Sequence, residues 1–79
     1  MAVDYINVLD NASKGKWDEA HQQIQPFSDQ KSCLIHGYLH RVEGDLSNAQ
    51  YWYNRAGADM PDNTLEEELN RLYELVRSV

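Results

Sequence analysis

The fold of this chain is decided by the stretch His36-Gly-Tyr-Leu-His-Arg-Val-Glu-Gly-Asp-Leu-Ser-Asn-Ala-Gln-Tyr-Trp-Tyr-Asn-Arg-Ala-Gly57. Apolar residues recur at helical spacing on both sides of Gly44-Asp45, a pair that is typical of a tight turn. The stretch therefore predicts two helices joined by a short reversal. The first runs over about residues 30–43 and the second from about Leu46 to Ala56.

Three further helices are predicted around this hairpin. Residues 3–13 carry apolar side chains at helical spacing, and so does the segment that begins at Trp17 and is expected to end near Gln25 to Phe27, because Pro26 cannot lie deep inside a helix. The segment from Leu65 to Val76 has the clearest apolar stripe. Because no stretch shows the alternation of a strand, we predict an all-α domain over residues 1–79, with about five antiparallel helices.

The helix starts have recognisable signals. Asp4 is a candidate N-cap of the first helix, and Ser28 or Asp29 is a candidate N-cap of the third. The segment Thr64–Glu67 fits the capping box, in which the two end residues bond each other's backbone. The acidic run Glu66–Glu68 is expected on a solvated face, where it complements the positive end of the helix dipole.

Charge and cysteine content exclude several classes of protein. The net charge is −6, with thirteen acidic and seven basic residues, which argues against nucleic acid or an anionic membrane as the partner. The single Cys33 excludes an internal disulfide and suits a reducing compartment. No apolar run approaches ~18 residues, and the N-terminus lacks the pattern of a signal peptide. A cytoplasmic protein is therefore expected.

An internal repeat supports the helical prediction. Gly15-Lys-Trp-Asp-Glu-Ala20 and Gly44-Asp-Leu-Ser-Asn-Ala49 share the order glycine, polar, apolar, polar, polar, alanine, 29 positions apart. Glycine permits the turn between two helices, the apolar residue packs beneath it, and alanine allows close approach. The pattern predicts two helical hairpins of the same design.

These residues resemble the tetratricopeptide repeat and its Sel1-like relatives, with Gln30–Asn63 covering one repeat of about 34 residues. The resemblance implies paired antiparallel helices, a C-terminal capping helix, and use as a protein-interaction module. The chain also resembles small bacterial proteins without an assigned activity, through Trp17–His21, Tyr38–Asp45 and Tyr51–Gly57. That second resemblance implies no reaction and no cofactor.

Two histidines depart from the repeat pattern, since His36 and His40 occupy slots that usually hold apolar side chains. At about 100° per residue, Cys33, His36, His40 and Glu43 share one sector of the third helix, roughly 80° wide. His21, on the preceding helix, could reach the same space. These five residues form the candidate ligand cluster.

Three interpretations of this cluster stay open. The histidines could be neutral core residues bonded to neighbouring groups; this is the favoured interpretation, so no cofactor or metal is expected. His36 and His40 could instead bind a metal ion with His21 or Cys33, because histidines four residues apart on a helix can share one ion. The third interpretation is a small-molecule or catalytic pocket that the cluster forms with Glu43 and Arg41, in which Cys33 could be the nucleophile. No catalytic residue is assigned, and an enzyme is the less favoured class.

Surplus aromatic and basic residues suggest a partner surface. Three consecutive helical aromatics span roughly 200° of a helix, so one neighbouring element cannot cover them all. Aromatic and arginine side chains are enriched where proteins bind partners. The leading functional hypothesis is therefore a protein- or peptide-binding module that could form a homodimer. Its predicted face comprises Tyr38, Arg41, Tyr51, Trp52 and Arg55.

Overall fold

The computed structural model describes residues 3–77, which form five α-helices and no strand. In chain order these are α1 (Tyr5–Ser13), α2 (Trp17–Ile24), α3 (Gln30–Val42), α4 (Leu46–Arg55) and α5 (Leu65–Arg77). The prediction of an all-α fold is confirmed. Within the described range, every helix is too short or too polar to cross a membrane.

Side-chain caps set where most of the helices begin. Asp4, Asp29 and Asp45 each accept a hydrogen bond from the backbone N–H three residues further on. Before α5, the Glu67 carboxylate accepts from the Thr64 backbone N–H and the Thr64 hydroxyl accepts from the Glu67 backbone N–H. The predicted capping box is confirmed, and Asp29 is the cap that the sequence left open. These bonds satisfy donors that a helix start otherwise leaves unpaired.

Helix α3 lies at the centre of the molecule and packs against each of the other four helices. Its residues Ser32–His40 are all buried. An amphipathic surface helix would keep one polar face in water. Because α3 is covered on every side, the polar sector predicted for His36 and His40 lies inside the protein.

Two glycines allow α4 to pack closely on α3. Gly44 adopts φ +85°, a left-handed conformation that reverses the chain between the two helices. At Gly37, a Cβ atom would lie only 2.8 Å from Cδ2 of Tyr53. The missing side chain therefore leaves the space in which the fully buried Tyr53 ring packs.

One member of the acidic run is placed differently from the prediction. Glu68 is completely buried, so its assignment to a solvated face is wrong. Its carboxylate accepts hydrogen bonds from the Tyr53 hydroxyl, the Asn63 amide and the Arg71 guanidinium. These four residues form what we name the Glu68 cluster, which joins α5 and the preceding loop to α4.

Candidate functional site

Three histidines converge between the second and third helices. His21 comes from α2, whereas His36 and His40 lie one turn apart on α3. One ring nitrogen from each lies within 4.8 Å of the other two. The His21 and His36 rings are nearly perpendicular, with centroids 4.9 Å apart, and the His36 and His40 centroids are 5.0 Å apart. We name these three side chains the histidine cluster.

Two tryptophans fix the orientation of these rings. Trp17 stacks on His21 with an interplanar angle of 10° and a centroid distance of 4.7 Å. Trp52 stacks on His36 at the same angle and at 3.7 Å. The indole N–H of Trp17 donates to the Leu39 carbonyl oxygen at 2.6 Å, which holds that ring in place. The histidine rings therefore lie between rigid aromatic supports.

Glu43 orients the third ring. Its Oε1 lies 2.5 Å from Nδ1 of His40, a contact between residues three positions apart near the end of α3. With a carboxylate as acceptor, Nδ1 carries the proton, and Nε2 keeps its lone pair. A carboxylate paired with a histidine in this way is the usual support of a metal-binding imidazole.

His36 holds an unpaired polar atom. The side chain is only 2% exposed, and its Nδ1 makes no hydrogen bond. Across residues 3–77 it is the single buried side-chain nitrogen or oxygen in that state. An unsatisfied buried polar atom costs about 1–3 kcal/mol. The bonded core histidine favoured by the sequence therefore does not describe His36.

Burial and neighbouring charge keep His21 and His36 neutral near pH 7. Burial lowers the pKa of His36 to about 4, assisted by repulsion from His21, His40 and the Arg55 guanidinium. The pKa of His21 is also lowered, by burial and by His40, although the Glu43 carboxylate opposes the shift. Neutral imidazole is the form that coordinates a metal ion.

A pocket of about 480 Å³ opens over the histidine cluster. Its walls come from α2 and α4, on either side of α3. The lining residues are His21, Gln25, His36, His40, Asn48 and Trp52. The pocket combines imidazole nitrogens, two side-chain amides and an aromatic wall, which is a composition suited to a small ligand.

Cys33 is not brought to this pocket. It is buried, and its Sγ lies 3.5 Å from the Ser28 carbonyl oxygen, at the opposite end of α3 from His40. Burial raises the pKa of the Cys33 thiol, which disfavours the nucleophilic thiolate. Cys33 therefore packs as a core residue, outside the candidate ligand cluster that the helical sector suggested.

Two members of the predicted partner face are engaged inside the protein. Tyr38 is only 5% exposed and belongs to the hydrophobic core, so its placement on an accessible face is corrected. Arg41 donates to both the side-chain and backbone oxygens of Asn63, at 2.8 and 2.6 Å. Both side chains serve the packing of α3 against the rest of the fold.

The other three members lie on α4. Trp52 is half-buried against His36, while Tyr51 is 54% exposed. The Arg55 guanidinium lies 4.8 Å from the Trp52 ring centroid and 5.8 Å from that of Tyr51. Of the predicted face, only Tyr51 and Arg55 are therefore exposed to solvent.

The sequence reasoning missed three residues of the site, and one signal points to them. These residues are Trp17, Gln25 and Asn48. Positions 17, 21 and 25 on α2 are spaced by four, as are 36 and 40 on α3 and 48 and 52 on α4. Residues four apart lie on one helix face. Polar and aromatic residues spaced by four on three neighbouring helical segments could have indicated a common site.

No protein-family model, curated protein or solved structure matches this chain. The resemblance to tetratricopeptide and Sel1-like repeats stays a prediction.

Proposed function

We propose that this protein binds a first-row transition-metal ion, with Zn²⁺ as the reference ion, through the imidazoles of His21, His36 and His40. The observation that carries this proposal is the convergence of three ring nitrogens within 4.8 Å of one another. Imidazole is a preferred ligand of zinc, copper, nickel and iron.

The geometry requires a small closure on binding. Zinc–nitrogen bonds are about 2.0–2.1 Å long, so two nitrogens on one tetrahedral ion are roughly 3.3 Å apart. The three nitrogens of the cluster lie within 4.8 Å of one another. Side-chain rotations that bring these nitrogens closer together by on the order of 1.5 Å would therefore allow all three to bind one ion. The paired carboxylate of Glu43 supports the ligand role of His40.

The charges around the cluster favour a cation on one side and oppose it on the other. The carboxylates of Asp18 and Glu43 act to raise the pKa of His21, which means that they stabilise positive charge there. Arg55 acts in the opposite direction on His36. A ligand bond to a metal ion is strong enough to outweigh such a surface charge, which solvent screens.

The direct test is Zn²⁺ titration of protein carrying no histidine tag, followed by calorimetry and metal analysis. One equivalent per chain is expected. The variants H21Q, H36Q and H40Q each remove one ligand and retain a polar side chain. Because loss of a ligand's outer bonding partner already costs about 10–100-fold in affinity, each variant is expected to lose more than that.

Two glutamate variants give a matched control. E43Q removes the charge that pairs with His40 and is expected to lower Zn²⁺ affinity about 10–100-fold. E66Q removes one charge from an exposed position at the start of α5 and is expected to leave the Zn²⁺ affinity unchanged. Less than about 0.1 equivalent of bound Zn²⁺ would reject metal binding, since a competent site fills at stoichiometric zinc.

We propose a second candidate function, protein or peptide binding through Tyr51 and Arg55 on α4. The observation that favours it is the exposed Tyr51 ring beside the Arg55 guanidinium, a composition common at interaction hot spots. A second copy of the chain is the first partner to test. Sedimentation at high micromolar concentration should show a dimer that Y51A weakens, and a strict monomer would remove self-association.

A further inference from the structure

A three-histidine site leaves a coordination position for something other than protein. Zinc is four-coordinate in most protein sites, and sites with three protein ligands keep the fourth position for water or substrate. In the described part of the chain, the only other cluster of metal-type ligands is His40, Glu43 and Asp45, which shares His40. Among residues 3–77, no fourth metal-type ligand is therefore grouped with the three histidines.

We infer that the fourth position takes the carboxylate group of a small organic acid, which occupies the pocket over the histidine cluster. This inference rests on the proposed metal binding. A carboxylate oxygen would replace the water on the ion, so the exchange needs no redox partner and leaves the ligand chemically unchanged.

The pocket is much larger than a single water molecule. Its volume is about 480 Å³. A water molecule takes up about 30 Å³ of the liquid, and pockets for small organic ligands measure about 300–1,000 Å³. The space therefore fits a molecule with a body of several heavy atoms beyond the group that reaches the metal.

Charge indicates that this ligand is an anion. Three neutral imidazoles leave the double positive charge of the ion unbalanced. Of the two carboxylates that act on the cluster, Glu43 already uses Oε1 to hold Nδ1 of His40, and Asp18 is exposed, so that solvent screens its charge. The Arg55 guanidinium, which lies against Trp52, adds a further positive charge near His36. Negative charge supplied by the ligand would compensate both.

The pocket walls fit the two ends of a carboxylic acid. Gln25, directly after α2, and Asn48 on α4 line the pocket, and the side-chain amide of each carries N–H groups that can donate to a carboxylate oxygen. Within residues 3–77, the side-chain amide of Gln25 has no hydrogen-bond partner, whereas its backbone N–H donates to the His21 carbonyl oxygen. The Trp52 ring gives an apolar wall for the remaining body of the ligand.

The test uses Co²⁺ in place of Zn²⁺, because the visible absorption of Co²⁺ reports its ligands. Untagged protein is first loaded with one equivalent of Co²⁺. Butyrate is then titrated in and should shift the Co²⁺ band in a saturable manner. Butyramide, a neutral molecule of the same shape, should leave the band unchanged because it brings no charge to the ion.

Amide variants locate the ligand in the pocket. Q25A and N48A each remove one donor and should weaken butyrate binding about three- to tenfold, with Co²⁺ affinity unchanged. Q22A on α2 and N54A on α4 are the matched controls, since both residues are exposed and lie outside the pocket lining. Their butyrate affinity should equal that of the parent protein.

The outcomes separate this inference from the proposed function. Co²⁺ bound by the histidines with a band that butyrate does not shift would overturn the carboxylate ligand and leave metal binding intact. Equal responses to butyrate and butyramide would overturn it too, because they would show that charge is not recognised. Failure of the protein to bind Co²⁺ at all would overturn both proposals.

Discussion

Two groups of buried ionisable side chains lie within this small fold, and they differ in how completely their hydrogen bonds are made. In the Glu68 cluster, both carboxylate oxygens of the fully buried Glu68 accept bonds from Tyr53, Asn63 and Arg71. In the histidine cluster, Nδ1 of the almost equally buried His36 has no partner.

The difference also appears in the charges that the two groups hold. Burial alone would raise the pKa of Glu68, but the bonds from Arg71, Asn63 and Tyr53 outweigh it and lower the pKa. Burial lowers the pKa of His36 to about 4, and no bond compensates. Glu68 thus keeps its charge to join α4 and α5, whereas His36 stays neutral with a free lone pair. A satisfied network serves stability, and an unsatisfied one suits a ligand.

The largest expected effect comes from breaking the Glu68 cluster. E68A should lower the free energy of unfolding by about 3–5 kcal/mol, because it leaves the buried Tyr53 hydroxyl without its acceptor and opens a cavity where the fully buried side chain was. Urea unfolding measures the change. E66A, at an exposed position on the same helix, should change it by less than about 0.5 kcal/mol. An E68A loss as small as that of E66A would show that the network does not hold the fold together.

The metal-free protein should lose about 3 kcal/mol of stability as the pH falls from 6.5 to 4, because of His36. The unfolded His36 takes up a proton near pH 6.5, whereas the folded one does so only near pH 4. Between these values the unfolded state binds more protons, so acid favours unfolding, and above pH 6.5 the effect vanishes.

Glu68 affects the free energy of unfolding at a lower pH than His36 does. Its folded pKa lies below the ordinary 4.5, so its contribution is present above that pH and is lost as the pH falls through the folded value. Urea unfolding at several pH values in a chelating buffer measures both. H36F should reduce the loss above pH 4.5, leaving the part that is due to His21, whose pKa is also lowered, and should retain the loss below it. If the pH dependence of stability were unchanged in H36F, the loss between pH 6.5 and 4 would belong to another group.

A smaller effect is expected at the residue that lies between the two clusters. Gly37 follows His36 in the chain and contacts the Tyr53 ring, so G37A would place a methyl group 2.8 Å from that ring. Overpacking of this kind costs about 1–3 kcal/mol, because Tyr53 is buried and bonded to Glu68 and has little room to move. Thermal unfolding checks the loss. Full stability in G37A would mean that α4 can shift away from α3.

The smallest expected effect on stability is the one that best distinguishes the role of the histidine cluster from that of the Glu68 cluster. H36F keeps an aromatic ring against Trp52 and removes the unpaired nitrogen, so at pH 7 the metal-free stability should change by less than about 1 kcal/mol. The same substitution should abolish Zn²⁺ binding. A loss as large as that of E68A would show that His36 is needed for folding in the way that Glu68 is.

Much of the fold could be predicted from the sequence because its signals are local. The turn at Gly44, the caps Asp4 and Asp29 and the box at Thr64–Glu67 each act within a few residues, where backbone geometry decides the outcome. The spacing of apolar residues then indicated which segments are helical. The all-α architecture follows from these features, and the structure confirms it.

Only part of the candidate site could be predicted from the sequence. Helical spacing places His36 and His40 on one face of α3 and adds Cys33 to the same sector. That spacing does not show that Cys33 lies too far along the helix to join His21. The stacking of Trp17 and Trp52 on the histidine rings joins residues from three helices. The spacing of residues along one helix does not show contacts between side chains of different helices.

Local sequence signals specify the five helices, the caps at Asp4 and at Thr64–Glu67 and the turn that pairs α3 with α4, because those depend on residues close together in the chain. The tertiary structure alone decided which polar groups are buried and which of them are bonded. Glu68 and Glu66 look alike within an acidic run, and one is enclosed while the other is solvated. His36 is left without a partner for the same reason, since burial and hydrogen bonding depend on neighbours that only the packed helices supply.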